Sequence, residues 1–371
     1  MPSVDAAAST TRDGASTDLR SVDVSLDSTR RDDATPDALV ALRAPLVGWG
    51  GEGFDSATAV AVDSQGGLYI GGVTRSEALT VAGRRFQIIT RATPSEQPRH
   101  FLLKLTPNGA ADWLLVFEGL FAPVSRFFGG VGIAALAVDP RGDLFIAGTS
   151  RVAGARLSNS VKLPRAGGFV AKISATGRVL WAHALGDRDL RPSLAAGKQG
   201  EVYVVHVATS KVTIAGKQLV SRGGTDMVIA RFEGDGALSW LISAGSDKND
   251  QCGAVAVLPR SGDPVISCQF FGTTVELGTF SASTAAHFAD LFARLDARSG
   301  EVRWAKAVPG TSLADRIGVD RADGIYLHLS VSGPTFLGLQ VKKRPVSGQA
   351  LRGRRAAVGA CSALSLGHLD R

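Results

Sequence analysis

The sequence predicts an all-β fold, a β-propeller of five blades with four antiparallel strands each, in which a strand from the N-terminal side closes the last blade. Three observations carry that prediction. A strand–turn–strand unit ending in Trp occurs four times, a second hairpin with its own turn signature occurs five times, and the two alternate with a period of about 60 residues. Composition agrees: 44 Gly and only 2 Met among 371 residues, with few long helix-forming runs, favour short strands and turns.

Residues 1–40 hold eight Asp and four Arg, no aromatic residue, no Lys and no Glu, and are otherwise rich in Ala, Ser and Thr. Such a stretch buries too little apolar surface to offset its chain entropy, so it reads as a disordered linker ahead of a propeller at residues 41–371. Its net charge of −4 leaves +11 on the rest of a chain whose total is +7. A basic body behind an acidic arm suits an anionic partner, and it equally suits ordinary solubility. A flexible arm with nothing before it implies a leader or anchor upstream of Met1. Met1 itself leads straight into polar sequence, so no signal peptide is visible, and no run approaches the roughly 18 apolar residues of a membrane span.

The Trp unit reads His100-FLLKLTPNGAAD-Trp113, Gly168-FVAKISATGRVL-Trp181, Asp226-MVIARFEGDGALS-Trp240 and Asp290-LFARLDARSGEVR-Trp304. In each copy the turn closes on Gly, as a hairpin needs where its last loop residue takes positive φ. The second hairpin runs through Asp63-Ser-Gln-Gly66, Asp139-Pro-Arg-Gly142, Gly197-Lys-Gln-Gly200, Leu258-Pro-Arg-Ser-Gly262 and Asp320-Arg-Ala-Asp-Gly324, with Lys198 and Leu258 read as replacing the turn Asp. Between the hairpins sit short β-like pieces such as Thr80-Val-Ala-Gly83, Thr213-Ile-Ala-Gly216, Val275-Glu-Leu-Gly278 and Thr335-Phe-Leu-Gly338. A four-stranded sheet with two apolar faces cannot bury both alone, and radial stacking buries them. The fifth unit lacks a terminal Trp strand. Residues 361–370 are expected to supply its third strand and residues 38–47 its fourth, which joins the chain ends in one blade and removes open sheet edges.

These motifs resemble the bacterial SBBP-type β-propeller repeat family, whose repeat couples a Val-Asp-x-x-Gly-x-x-Tyr hairpin to a strand–Gly–Trp hairpin. The likeness covers about residues 50–340. It implies a secreted or surface-attached protein, often a lipoprotein with an acidic linker like residues 1–40. The Trp hairpins are also similar to the tryptophan-docking repeats of quinoprotein dehydrogenases. Those enzymes use more blades, a vicinal Cys pair and Ca²⁺-binding acids, whereas the three cysteines here stand at 252, 268 and 361. No quinone or other cofactor is therefore expected.

Trp113, Trp181, Trp240 and Trp304 recur at one blade position, which marks them as packing between blades rather than a stacking platform. Trp49 falls outside that register and is the one Trp open to a surface role. Asp63, Asp139 and Asp320 are expected to bond their own turn amides. Asp247, Asn249 and Asp250 are a weak Ca²⁺ candidate, lacking the glycine and terminal Glu of a full calcium loop. Cys252 and Cys268 fall opposite each other across the 258–264 turn: a cross-strand disulfide in an oxidising compartment, two small buried hydrophobes in a reducing one. Cys361 is left over. The six His show no metal spacing, and no P-loop, dinucleotide fingerprint or Gly-x-Ser-x-Gly elbow occurs.

The densest cationic stretch, Lys342, Lys343, Arg344, Arg352, Arg354 and Arg355, is a candidate anion site or a solvated loop. No aromatic residue interleaves with it, which argues against nucleic acid. The functional expectation is a monomeric, non-enzymatic cell-surface or envelope propeller that binds a protein or glycan partner through blade-connecting loops. A hydrolase or lyase acting on an envelope polysaccharide at the channel mouth, and an intracellular scaffold in the cytoplasm, are the alternatives.

Overall fold

Each repeat folds as two hairpins laid edge to edge, because each of its apolar runs is broken by a turn that closes on a residue of positive φ. The computed structural model describes residues 48–88, 98–117, 132–150, 153–158, 160–186, 192–285, 288–309, 316–329, 335–336, 339–340 and 362–366. All of these belong to one unit, Ala44–Arg371, and every regular element among them is a β-strand. The expected linker (residues 1–40), the expected closing strand (38–47) and the cationic stretch 342–355 lie outside the described residues.

Blade 1 pairs Asp55–Val62, Leu68–Thr74, Arg99–Leu105 and Ala111–Phe117 in that order. Blade 2 pairs Ile133–Val138, Leu144–Ser150, Gly167–Ile173 and Val179–Ala184. Blade 3 pairs Ser193–Ala196, Val202–Ile214, Lys217–Phe232 and Leu238–Gly245. Blade 4 pairs Gln251–Val257, Pro264–Phe270, Ala289–Leu295 and Val302–Pro309. A fifth sheet holds Arg316–Val319, Ile325–Leu329 and Ser362–Leu366. Its third strand falls inside the expected stretch 361–370 and pairs antiparallel with the second.

The first strand of each blade lies against the first strand of the next, from blade 1 through blade 5. The sheets are therefore stacked radially about an axis, and the fold is a β-propeller. Side-chain size along these inner strands sets the spacing. Ala59 and Ala61 face Leu136 and Val138 of blade 2, Ala135 and Ala137 face Leu194 of blade 3, and Ala195 faces Val255 and Val257 of blade 4. Small residues point forward and larger ones back, so each seam close-packs one layer of branched chains against a nearly flat wall.

The period of about 60 residues holds more than four strands. The Gly-bearing pieces are the first halves of small hairpins inserted between the second and third strands: Ala78–Val81 with Arg84–Gln87, Thr274–Leu277 with Phe280–Ser283, and Thr335–Phe336 with Leu339–Gln340. In blade 3 the two blade strands run on to form the same hairpin, ending at Ile214 and Lys217. Ala82 and Gly83, like Ala215 and Gly216, all take positive φ, the condition for a two-residue turn that matches strand twist. These hairpins bury Leu79, Val81, Val212, Ile214, Val275 and Leu277, which extends each seam outward from the axis.

Candidate functional site

The repeated tryptophans form a docking system between blades. Trp113 Nε1 donates to the Ala175 carbonyl (3.0 Å), Trp181 Nε1 to Gly234 (3.1 Å) and Trp240 Nε1 to Ala297 (3.1 Å), each acceptor lying in the Trp-hairpin turn of the following blade. The turn glycine under each indole leaves room for it: a Cβ on Gly236 would stand 2.8 Å from Trp181, and one on Gly300 2.8 Å from Trp240. Both glycines also have positive φ. Trp304 packs with the cluster joining blades 4 and 5.

A cation stands opposite each Trp in the strand register, buried at Lys172 and Arg231 and part-buried at Lys104 and Arg294. Sequence reading passed over this position, although a Lys or Arg before the last apolar residue of the strand recurs in all four Trp hairpins. Lys104 Nζ shares the Ala175 carbonyl with Trp113 (3.1 Å), and Arg231 Nη1 shares the Ala297 carbonyl with Trp240 (2.9 Å). Lys172 instead bonds Asp139 (3.0 Å) and Asp143 (3.2 Å) in its own blade, and Arg294 bonds Asp263 (2.9 Å). The Tyr69 hydroxyl reaches the Gly142 carbonyl of blade 2 (3.1 Å) and that of Tyr203 the Gly262 carbonyl of blade 4 (3.4 Å). Burial pushes the Tyr69 phenol up to about 12 and raises that of Tyr203 as well, so both remain donors at neutral pH.

The turn acids face inward. Oδ1 of Asp63 accepts from Gln65 N (3.0 Å) and Gly67 N (2.7 Å), that of Asp139 from Arg141 N and Asp143 N (both 2.9 Å), and that of Asp320 from Ala322 N (2.8 Å) and Gly324 N (2.7 Å). The Gly324 amide leads the bonds that hold the Asp320 carboxyl below its ordinary range. The reading of blade 3 needs correction: Gly197, not Lys198, occupies the turn-Asp position, since Gly197 N bonds Glu201 O as Asp63 N bonds Gly67 O. Glu201 supplies the missing carboxylate, accepting from Gln199 N (2.8 Å), and it fills the space a side chain at Gly197 would take. In blade 4 the turn is one residue longer, and Asp263 bonds Arg294, Arg303 and the Ala297 amide.

The first turns of the blades gather at one end of the channel. There Val62–Ser64, Val138–Pro140, Ala196–Lys198, Val257 and Pro259 line an open cavity of about 420 Å³. Its walls are mostly apolar. Lys198 is the cation in the lining, and the same turns of the second, fourth and fifth sheets carry the exposed Arg141, Arg260 and Arg321. The carboxylates of these turns are bonded to turn amides or to Lys172, Arg294 and Arg303, as above, and Asp323 accepts from the Arg260 and Ser261 amides of blade 4 (2.7 and 3.3 Å). Asp63 and Asp139 thus stand in the lining beside Lys198 with their Oδ1 atoms engaged by turn amides, and Arg260 Nε donates to the Arg321 carbonyl (3.1 Å).

Cys252 and Cys268 are cross-strand partners with Cα atoms 4.0 Å apart and their sulfurs in contact. Asp247, Asn249 and Asp250 do not converge. Asp250 is buried and accepts from the Ser246 amide, the Ser246 hydroxyl (2.8 Å) and the Phe271 amide (3.1 Å), while Asp247 faces solvent beside Lys248. Burial raises the Asp250 pKa. Trp49 is no surface platform: it pairs with Val81 and meets Phe101 edge-on, ring centroids 5.3 Å apart. No helix among the described residues is long and apolar enough to cross a membrane.

No protein-family model matches the chain, and no curated protein matches it either. Its likeness to SBBP repeats therefore stays one of motifs. Among solved structures it is similar to BamB from Moraxella catarrhalis (15% identity, 74% of this chain and 82% of that one, TM-score 0.27). It is also similar to a DUF4221 family member from Bacteroides vulgatus (11%, 76% and 92%, TM-score 0.34) and to a luciferin-regenerating enzyme (11%, 73% and 83%, TM-score 0.32). At TM-scores below 0.5 none of them bears on function, and the propeller assignment rests on the sheet order and radial stacking above.

Proposed function

We propose that this is a non-enzymatic binding propeller that takes an acidic segment of a protein partner at the channel mouth formed by the first turns of its blades. The observation that carries the reading is the charge arrangement of these turns: Lys198 stands in the lining of a mostly apolar cavity of about 420 Å³, exposed Arg141, Arg260 and Arg321 stand on neighbouring turns, and the lining carboxylates Asp63 and Asp139 are tied to turn amides and, for Asp139, to buried Lys172. An apolar side chain of the partner enters the cavity and neighbouring Asp or Glu residues meet the rim. Exposed charge pairs of this kind weaken over a Debye length of about 8 Å at physiological salt, so affinity falls as salt rises.

The test is fluorescence anisotropy of the full chain with an acidic peptide bearing one Leu or Phe, against a Lys-substituted peptide of the same length. The acidic peptide is expected to bind, to lose affinity with added salt, and to lose at least tenfold with Lys198→Glu combined with Arg141→Glu. Equal binding of both peptides, or an unaffected double variant, overturns the reading. An acidic polysaccharide run alongside gives the glycan alternative its own arm.

The compartment belongs to the same proposal. The adjacency of Cys252 and Cys268 supports a protein that works outside the cytoplasm, where such pairs are oxidised. Protease cleavage of the chain on intact host cells is the expected result, and full protection in the soluble cytosol overturns it.

A further inference from the structure

The small hairpins between the second and third strands have a solvent side whose charge changes from blade to blade. In blade 2 this place is filled by residues 154–163, where Leu157 N donates to Val161 O and Leu163 N to Ala155 O (both 2.9 Å). Each hairpin turns its apolar side to the core: Leu79 and Val81 in blade 1, Leu157 and Leu163 in blade 2, Val212 and Ile214 in blade 3. Strand alternation then puts Arg85, the Arg156–Lys162 pair and Lys211 on the solvent side of three successive hairpins, and all four are exposed. In blade 4 the same side carries Thr274, Glu276, Ser281 and Ser283 instead.

Arg156 and Lys162 stand directly opposite each other, and the bonds flanking them make theirs a non-hydrogen-bonded pair, the closer of the two antiparallel spacings. Like charges in that register repel. The hairpins hold nothing to offset them, since residues 153–165 and 211–222 contain six cations and no acid. The other cations there have partners. Arg165 Nη2 donates to the Thr213 carbonyl and so ties the blade 2 hairpin to that of blade 3. Lys217 Nζ reaches the Ser239 carbonyl (3.4 Å), and Arg222 pairs with Glu276 (3.0 Å), which ends the basic series at blade 4. Arg85, Arg156, Lys162 and Lys211 have no side-chain hydrogen bond or ion pair among the described residues.

We infer that these four cations bind a linear acidic polysaccharide laid across the hairpins of blades 1 to 3. Equivalent insertions in successive blades set the cations on one arc, and a polyuronate presents carboxylates at intervals along a chain that can follow it. The two arginines can take a carboxylate through two parallel N–H donors. A bilayer fits less well: it would meet Glu276 on the same arc, and Val220 is the one large apolar side chain exposed on these hairpins. Nucleic acid fits less well too, because the hairpins expose no aromatic ring on which a base could stack. The hairpins join second to third strands, whereas the turns of the channel mouth join first to second. The site therefore lies at the opposite end of the blades from the mouth and does not rest on the peptide reading.

The experiment measures binding of fluorescein-labelled polygalacturonate to the full chain by anisotropy, with neutral dextran, anionic phosphatidylglycerol vesicles and oligothymidylate run beside it. Polygalacturonate is expected to bind, dextran not, and Lys162→Glu with Lys211→Glu to weaken binding by about tenfold or more. Lys162→Glu gives Arg156 an opposite charge across the hairpin, so this variant is expected to fold. The milder Lys162→Gln with Lys211→Gln is expected to lose about threefold and reads the site without reversing charge. Lys306→Glu with Arg178→Glu, an equal charge change on exposed residues elsewhere, is expected to bind like the parent. Equal weakening by that control pair reduces the effect to net charge and overturns the inference. Binding of vesicles or oligothymidylate through Lys162 and Lys211 without polygalacturonate binding overturns the ligand class. Acidic-peptide binding is scored separately, so failure of one site is not read as failure of the other.

Discussion

The indole of Trp181 donates to the carbonyl of Gly234, 3.1 Å away in the turn of the following blade, and the two residues pin one seam of the ring. Because Gly236 in the same turn offers no side chain, the indole lies directly on the backbone. Trp181→Phe keeps much of the ring area but removes the donor, leaving a part-buried carbonyl short of one bond. We expect a loss of about 1 kcal/mol, against about 3–5 kcal/mol for Trp181→Ala, which also opens a cavity. Urea unfolding of the two variants checks the ratio.

Lys172 is 3% exposed and bonds Asp139, which is 4% exposed. Removing the ammonium strands a buried carboxylate, so Lys172→Met is expected to cost about 3–5 kcal/mol even though Met matches the length of the lysine stem. Lys104→Met is the comparison. Lys104 faces the more exposed Asp112 and an uncharged carbonyl, so its loss is expected to be smaller by at least half.

How much of this was legible in the sequence divides by range. The turns that close on Gly109, Gly177, Gly236 and Gly300 were readable because positive φ is a local demand with a local residue signature, and all four take it. The inward role of the tryptophans followed from their recurrence. Their acceptors did not, since Ala175, Gly234 and Ala297 contribute only backbone carbonyls, which leave no trace in residue type. Glu201 escaped notice because it restores the turn carboxylate from four residues downstream of Gly197. The channel mouth was hidden for the same reason: its walls come from four blades, and no single stretch carries the pattern.

His100 is fully buried, with its ring against Gly132, and burial holds its pKa down to about 4 from the ordinary 6.5. The unfolded chain therefore binds a proton between pH 6.5 and 4 that the folded chain does not. Stability is complete above pH 6.5 and falls as pH drops toward 4, by about 3 kcal/mol from this group. Unfolding midpoints measured from pH 7 to 4 are expected to show that slope, and His100→Leu to flatten it.

Cys252 and Cys268 are separated by 16 residues, a loop whose closure is worth about 3 kcal/mol to an oxidised chain. Protein purified without reductant is expected to weigh about 2 Da less than the reduced form and to take up two fewer alkylating groups under denaturing conditions. Cys252→Ser with Cys268→Ala is expected to lower stability by a similar amount.

The docking system has a direction. Trp113, Trp181 and Trp240 each reach forward, to an acceptor 53 to 62 residues further along the chain. During synthesis, then, no blade is locked when its own last strand leaves the ribosome; it is locked when the hairpin of its successor arrives. Locking by these bonds therefore trails the growing chain by one blade, and none of them covers Val60 and Val62 on the backward side of the first inner strand. A chain interrupted in translation would display the unlocked indole of its last complete blade, a mark that the finished blades do not carry.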